Sequence, residues 1–109
     1  MNGVRLIEYR GAVPPSRDEF DERFDRAGLA GRWWSNGAGD AYDWHSHSYD
    51  KVLFCSRGTI VFHLRDGDVE LAAGDRLDIE RGVEHAATVG DAGVTCVEAA
   101  VEEDVAGQI

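Results

Sequence analysis

From residue 32 to residue 101 the sequence alternates short β-prone runs with glycine-containing turn dipeptides. β-branched and aromatic residues fill the runs, and glycine beside aspartate, asparagine or arginine separates them. No stretch of helical periodicity interrupts the series, which argues against a parallel α/β sheet. The pattern therefore predicts an all-β barrel or sandwich over about 32–101. The predicted strands are 42–47, 51–56, 59–64, 69–72, 77–79, 84–89 and 94–101, with one more near the N-terminus at 4–9.

One segment ahead of this region has the signature of a helix. Ser16 is followed three residues later by Glu19, which is the spacing of a capping box. Phe20 and Phe24 then recur on one helical face. We expect one short N-terminal α-helix over about 17–27.

Length and charge limit the classes of partner. The chain has 109 residues, which predicts a single domain over 1–109. Its net charge of −10 comes from 11 basic and 21 acidic residues, so nucleic acid and anionic membrane surfaces are disfavoured as partners. No apolar run approaches the ~20 residues that span a bilayer, and the first residues do not form a secretory signal. We therefore expect a cytoplasmic protein.

Histidines provide the strongest chemical signal. His45 and His47 are one residue apart, so on a β-strand both rings lie on the same face. His85 alternates with apolar residues of a later predicted strand, so it is expected to point into the interior. By itself such a histidine is more often a core residue than a ligand. Together the three imidazoles predict a site for a divalent transition metal ion (Fe, Zn, Ni, Mn or Cu), with water or a small ligand completing the shell.

The spacing of glycines and histidines over residues 39–89 resembles the two motifs of the cupin superfamily. The positions that match the first motif are Gly39, His45, His47 and Gly58, and those that match the second are Gly74, Gly82 and His85. The positions that depart are Lys51, where the family has glutamate, and Glu80 and Val89, where it has proline and asparagine. The resemblance implies a double-stranded β-helix, the cupin jelly-roll barrel, with His45, His47 and His85 as metal ligands inside it.

Lys51 replaces the one carboxylate of the family's ligand set. Three neutral imidazoles leave a divalent ion its full charge, and an inward lysine adds to it, which favours a small anionic ligand. In the alternative, Lys51 extends to solvent and Asp50 or Tyr49 approaches the metal instead.

Cupins with three histidines and no carboxylate include non-haem iron dioxygenases that act on thiols or diketones. The resemblance therefore implies a metal-dependent oxygenase acting on a small anionic or enol-like molecule. A non-catalytic metal-binding, ligand-binding or sensor cupin is the alternative, and a metal-free barrel used for subunit contacts is a third possibility.

Three further residues are candidates for lining the site. Cys55 shares strand parity with Lys51, and Cys96 occupies a later strand, so both thiols are candidates, although a small buried apolar side chain is the favoured explanation. Glu98 is a candidate proton-transfer group. His63 is expected on the outer face.

A homodimer is expected from the run 52–55, which is apolar on both strand faces. One face can line the barrel, and the other can meet a second subunit. Tyr42 and Trp44, predicted to lie opposite His45 and His47, can belong to the same interface. In the alternative, the helix and the first strand cover this face within one chain.

Overall fold

Antiparallel strands and one α-helix make up the fold. The computed structural model describes residues 3–102 and 105–109. The helix α1 spans Arg17–Arg26, and a short 3-10 helix follows at Ala106–Gln108. The strands are β1 Val4–Ile7, β2 Arg32–Asn36, β3 Ala41–His45, β4 Asp50–Leu64, β5 Gly67–Ala72, β6 Arg76–Ile79 and β7 His85–Val101. The predicted all-β class with one short N-terminal helix is thus confirmed. Over the described residues, the structure contains no helix that is both long and apolar enough to cross a bilayer.

Two long strands form the spine of the barrel. The sheet order is β1-β6-β4-β7-β2, with β3 also paired to β7 and β5 also paired to β4. β4 and β7 pair along nearly their whole length, from Asp50 opposite Val101 to Leu64 opposite His85. Because β3 pairs with the start of β7, it brings the His45 end of β3 to the His85 end of β7.

The sequence predicted two strands where β4 forms one, and the reason is the glycine at position 58. Gly58 has φ +76°, and the register of β4 against β7 shifts on either side of it. A Cβ at this position would lie 1.9 Å from the carbonyl oxygen of Gly93. The glycine therefore makes a bulge that bends the strand, where the sequence suggested a turn that ends it.

Alternate residues of β4 face two different cores. Leu53 and Cys55 point into the barrel, whereas Val52 and Phe54 point to the other side. There they pack against Phe20 and Phe24 of α1, whose side chains are fully buried. The other large barrel residues are Ile60, Phe62, Leu64, Leu71, Leu77 and Ile79.

This packing corrects the predicted dimer interface. The second apolar face of β4 is covered within the chain by α1 and by residues near the C-terminus, Ala106 and Ile109. Covering that face with apolar side chains of the helix costs less free energy than covering it with a second subunit, because no translational and rotational entropy is lost on association. The homodimer stays a prediction, but the second apolar face of β4 is not available as its interface.

The start of α1 is fixed as the sequence predicted. The Ser16 hydroxyl accepts a hydrogen bond from the Glu19 backbone N–H at 3.2 Å, and the Glu19 carboxylate accepts one from the Ser16 N–H at 3.2 Å. Both bonds satisfy N–H groups that the first helical turn leaves without partners. The cap sets where the helix begins and so where Phe20 and Phe24 meet the sheet.

Candidate metal centre

Three histidine rings meet at one end of the barrel. His45 ends β3 and His85 begins β7, and the two are cross-strand partners with ring centroids 4.3 Å apart. His47 follows in the loop, with its centroid 4.9 Å from that of His45 and 5.2 Å from that of His85. One ring nitrogen from each residue lies within 4.8 Å of the others. The sequence predicted His45 and His47 on one face of a single strand, but β3 ends at His45 and His47 lies beyond it. The structure nevertheless brings the three histidines together in a cluster that could hold a metal.

Hydrogen bonds assign the same tautomer to all three rings. His45 Nδ1 lies 2.6 Å from the carbonyl oxygen of Asp43, and His85 Nδ1 lies 2.9 Å from that of Val83. A carbonyl only accepts, so Nδ1 carries a proton in both rings, and in the neutral form of each ring Nε2 keeps its lone pair. His47 Nε2 lies 3.3 Å from the Lys51 ammonium, which only donates, so this Nε2 also keeps its lone pair. Three unprotonated Nε2 atoms are the state that metal binding requires.

Two of these rings are also held in the neutral form. Burial, the Lys51 ammonium and the two neighbouring imidazoles lower the pKa of His47 to about 4. Burial lowers the pKa of His85 as well, although its bond to the Val83 carbonyl opposes the change. These two rings therefore carry no imidazolium charge at neutral pH.

Tyr42 lies on the same side as the histidines, which corrects its predicted position opposite them. The ladder of β3 against β7 slips between Tyr42 and His45: three steps along β3 match two along β7. This bulge reverses the alternation of side chains, so parity counting fails across it. Tyr42 lines the cavity beside His45 and donates a hydrogen bond from its hydroxyl to the Asn36 side chain.

Aromatic and aliphatic side chains surround a small cavity next to the histidines. The space open to a water molecule is about 70 Å³. Its lining residues are Trp34, Tyr42, His45, Lys51, Ile60, Phe62, His85 and Ala87. A cavity of this size has room only for a compact ligand.

Lys51 points into the barrel, and a carboxylate meets it there. The Lys51 Nζ lies 2.9 Å from Glu98 Oε2, and the two side chains are only 11% and 8% exposed. Glu98 also accepts a hydrogen bond from the Trp34 indole at 2.7 Å and approaches Arg32 at 3.4 Å. Burial raises the pKa of Glu98, but Lys51, Trp34 and Arg32 outweigh it and hold the pKa below its usual value.

The ion pair corrects the predicted charge of the site. The sequence suggested that an inward Lys51 adds a positive charge to that of the metal. Glu98 compensates that charge, so any excess positive charge at the loaded site comes from the metal alone. Glu98 reaches Lys51 from another strand, and no periodic signal in the sequence links the two.

Asp50 and Tyr49, the alternative neighbours of the metal, occupy different places. Asp50 turns to the loop after β6 and accepts a hydrogen bond from the Arg81 backbone N–H at 2.8 Å. It does not belong to the cluster of potential ligand atoms at the histidines. Tyr49 stacks on His47 with centroids 5.0 Å apart and an interplanar angle of 28°. Tyr49 thus supports a histidine ring rather than replacing Lys51.

The two cysteines lie deeper in the barrel. Cys55 and Cys96 are direct cross-strand partners of β4 and β7, and both are fully buried and free. The hydrogen bond between them lowers the pKa of Cys55, whereas that bond and burial raise the pKa of Cys96. Both belong to the apolar core and lie outside the lining of the histidine cavity.

Comparison with known proteins agrees with this architecture. A family model described as a cupin domain matches residues 33–98. Among solved structures, a cupin-2 domain protein from Shewanella frigidimarina is similar at 23% identity, covering 66% of this chain and 70% of that chain, with a TM-score of 0.57. A DUF861 family protein from Thermotoga maritima is similar at 12% identity, covering 90% and 99%, with a TM-score of 0.62. These likenesses confirm the predicted jelly-roll barrel.

One further likeness involves enzymes. A chain from crystal structures of DMSP lyases is 26% identical, with a TM-score of 0.54, and the match covers 62% of this chain and 34% of that one. The match therefore spans about a third of that longer chain. No curated protein matches the sequence.

Proposed function

The chain belongs to the cupin domain family, and on that premise we propose that it binds one divalent transition metal ion through Nε2 of His45, His47 and His85. The observation that carries this proposal is the tautomer that the three neutral rings share. In His45 and His85, Nδ1 donates to a backbone carbonyl, and in His47, Nε2 accepts from Lys51, so Nε2 has the free lone pair in all three rings. Imidazole nitrogen suits Fe, Zn, Ni and Cu, whereas Mn prefers oxygen ligands, so the ligand set favours the first four of the predicted metals. Three protein ligands leave room for a further ligand from the cavity side.

The activity we propose is that of a metal-dependent oxygenase acting on a small anionic or enol-like molecule. A bound metal supplies Lewis acidity and, with iron, redox chemistry toward O₂. The chain supplies the rest. Trp34, Phe62 and Ala87 give the cavity apolar walls, and its size suits a compact substrate. Three neutral imidazoles and a charge-balanced Lys51–Glu98 pair leave the loaded site cationic, which favours an anion.

The alternative is a non-catalytic cupin that binds a metal or a ligand, or acts as a sensor. The small volume of the cavity favours it, since about 70 Å³ leaves little space for a substrate together with a second reactant.

The catalytic proposal is supported by the DMSP lyases in the structural comparison, which are enzymes with a similar barrel.

Two further parts of the proposal concern the setting of the protein. A cytoplasmic location is supported by the two free thiols, since reducing compartments keep such cysteines unpaired. A homodimer remains a prediction from the sequence, and sedimentation velocity would test it.

Metal reconstitution followed by oxygen uptake separates these functions. The purified chain would be stripped of metal and reloaded with Fe²⁺ or Zn²⁺. Bound metal would then be counted, and O₂ uptake would be followed with a panel of small thiols, diketones and 2-oxo acids. Stoichiometric iron with O₂ uptake that is lost in His47→Ala supports the oxygenase. Bound metal without uptake for any compound supports the binding protein. No bound metal contradicts the proposed metal site and leaves the metal-free barrel used for subunit contacts.

A further inference from the structure

Lys51 occupies an unusual position for a lysine. It is the only lysine of the chain, and every other basic side chain apart from histidine is arginine. Its side chain is 11% exposed, so it belongs to the barrel interior. Its ammonium is held from two sides, by Glu98 at 2.9 Å and by His47 Nε2 at 3.3 Å.

The contact with His47 engages the lone pair that a metal needs. Only one lone pair lies in the plane of an unprotonated imidazole nitrogen, so an N–H donor and a metal ion cannot both use it. A metal bound to His47 therefore requires the ammonium to give up this contact. The two cations also repel each other at short range in a poorly hydrated interior, and Glu98 offsets only part of that repulsion.

The same displacement frees a donor. An ammonium group has three N–H bonds, and Glu98 continues to accept one of them after the contact with His47 is lost. Lys51 lines the cavity beside the histidines, so a freed N–H has access to a ligand in that cavity. An anion there can accept from Lys51 while it also interacts with the metal, which makes the charge-assisted contact strong.

We infer that Lys51 couples the two binding events at this site: it weakens the binding of metal alone and strengthens the binding of an anion to the metal-loaded protein. This inference rests on the proposed metal site. It predicts a ligand class of small anions with at least two acceptor atoms, one for the metal and one for the ammonium. Glu98 acts through Lys51 as a positioning residue that holds the ammonium beside the histidines.

The test is a pair of titrations on Lys51→Met and on the unchanged chain. The first measures Co²⁺ binding to metal-free protein by calorimetry. The second measures azide binding to Co²⁺-loaded protein from the change in visible absorption. We expect Lys51→Met to bind Co²⁺ about tenfold more tightly and azide about tenfold more weakly, the scale of one hydrogen bond to a charged group. Equal metal affinity, or changes of the same sign in both titrations, would overturn the coupling.

A surface variant controls for overall charge. Arg10→Met also removes one positive charge, but Arg10 is 86% exposed and pairs with Glu8. We expect both affinities to stay unchanged in this variant, since solvent screens an exposed charge. Shifts as large as those of Lys51→Met would show a general charge effect and would contradict a local role.

Glu98 variants separate positioning from direct metal ligation. Glu98→Gln removes the charge that compensates Lys51, so we expect weaker Co²⁺ binding. The double variant Lys51→Met with Glu98→Gln removes both charges, which keeps the pair neutral and protects folding. We expect it to recover Co²⁺ affinity to at least the unchanged level. Persistently weak binding in the double variant would identify Glu98 as a metal ligand and overturn the inference. If the unchanged chain binds no Co²⁺ at all, the proposed metal site itself fails.

Discussion

His45 and His85 face each other directly across β3 and β7, with their ring centroids 4.3 Å apart. Each ring is fixed through Nδ1 to the carbonyl two residues earlier in its own segment, that of Asp43 or Val83. Backbone carbonyls cannot be lost by side-chain substitution, so the orientation of both rings is built into the barrel. His47 lies in the loop after β3, and its ring is positioned by Tyr49 and Lys51.

The lowered pKa values of His47 and His85 predict how stability changes with pH. An unfolded histidine takes up a proton near pH 6.5, whereas folded His47 resists protonation until about pH 4. Between these values the unfolded state binds more protons, so the free energy of unfolding falls as the pH is lowered. Urea denaturation of metal-free protein at several pH values between 7.5 and 4.5 would measure this decline.

A substitution at His47 is the control for this effect. In His47→Gln the group that titrates is absent, so the decline with falling pH should become shallower. The lowered pKa of Glu98 adds a loss of stability only further down, below the usual glutamate value of 4.5. If the free energy of unfolding falls equally steeply with pH in His47→Gln and in the unchanged chain, the lowered pKa of His47 is not the cause of the decline.

Phe24 should be among the most costly residues to truncate. It is fully buried between α1 and β4 and meets Phe54 edge-on with centroids 5.7 Å apart. Phe24→Ala leaves a cavity there, and we expect a loss of about 3–5 kcal/mol in the free energy of unfolding. The control is Val13→Ala, at a side chain that is 75% exposed, for which the change should stay within about 0.5 kcal/mol. Similar values for both variants would show that α1 does not cover the apolar face of β4.

Alanine substitutions at Gly58 and Gly39 distinguish the cost of backbone strain from the cost of a steric clash. Both have positive φ, +76° and +77°, but only a Cβ at Gly58 meets another atom, the Gly93 carbonyl oxygen at 1.9 Å. We expect Gly39→Ala to cost about 1 kcal/mol, and Gly58→Ala to cost at least 2 kcal/mol more, because the bulge must shift. Urea denaturation would measure the difference in the free energy of unfolding from the shift in midpoint, provided that the dependence on urea concentration is the same in both variants. Equal costs would mean that the bulge in β4 tolerates a side chain.

Local patterns in the sequence predicted much of this structure. The capping box at Ser16 located the helix, and the alternation around His85 placed its ring inside the barrel. The capping box depends on a fixed spacing at the start of one helix, and the alternation around His85 depends on the period of one strand.

Sequence reasoning failed where the period breaks or where the contact is distant. The bulge between Tyr42 and His45 reversed the predicted side of Tyr42. The pairing of Lys51 with Glu98 depends on how β4 lies against β7, and Trp34 enters the site from β2 through its own pairing with β7. Strand order and register set such contacts, and neither is encoded in a local window of sequence.

Metal content after dialysis, compared between His85→Ala and His63→Ala, tests the central claim most directly. His63 lies outside the cluster, with its ring bonded to Asp68 at 2.9 Å and Thr88 at 2.8 Å. We predict one tightly bound Co²⁺ or Zn²⁺ per chain in the unchanged protein and in His63→Ala. In folded His85→Ala we predict a loss of affinity of about 100-fold or more, since a direct ligand contributes at least as much as the outer groups that support it. Full metal content in His85→Ala would contradict the account.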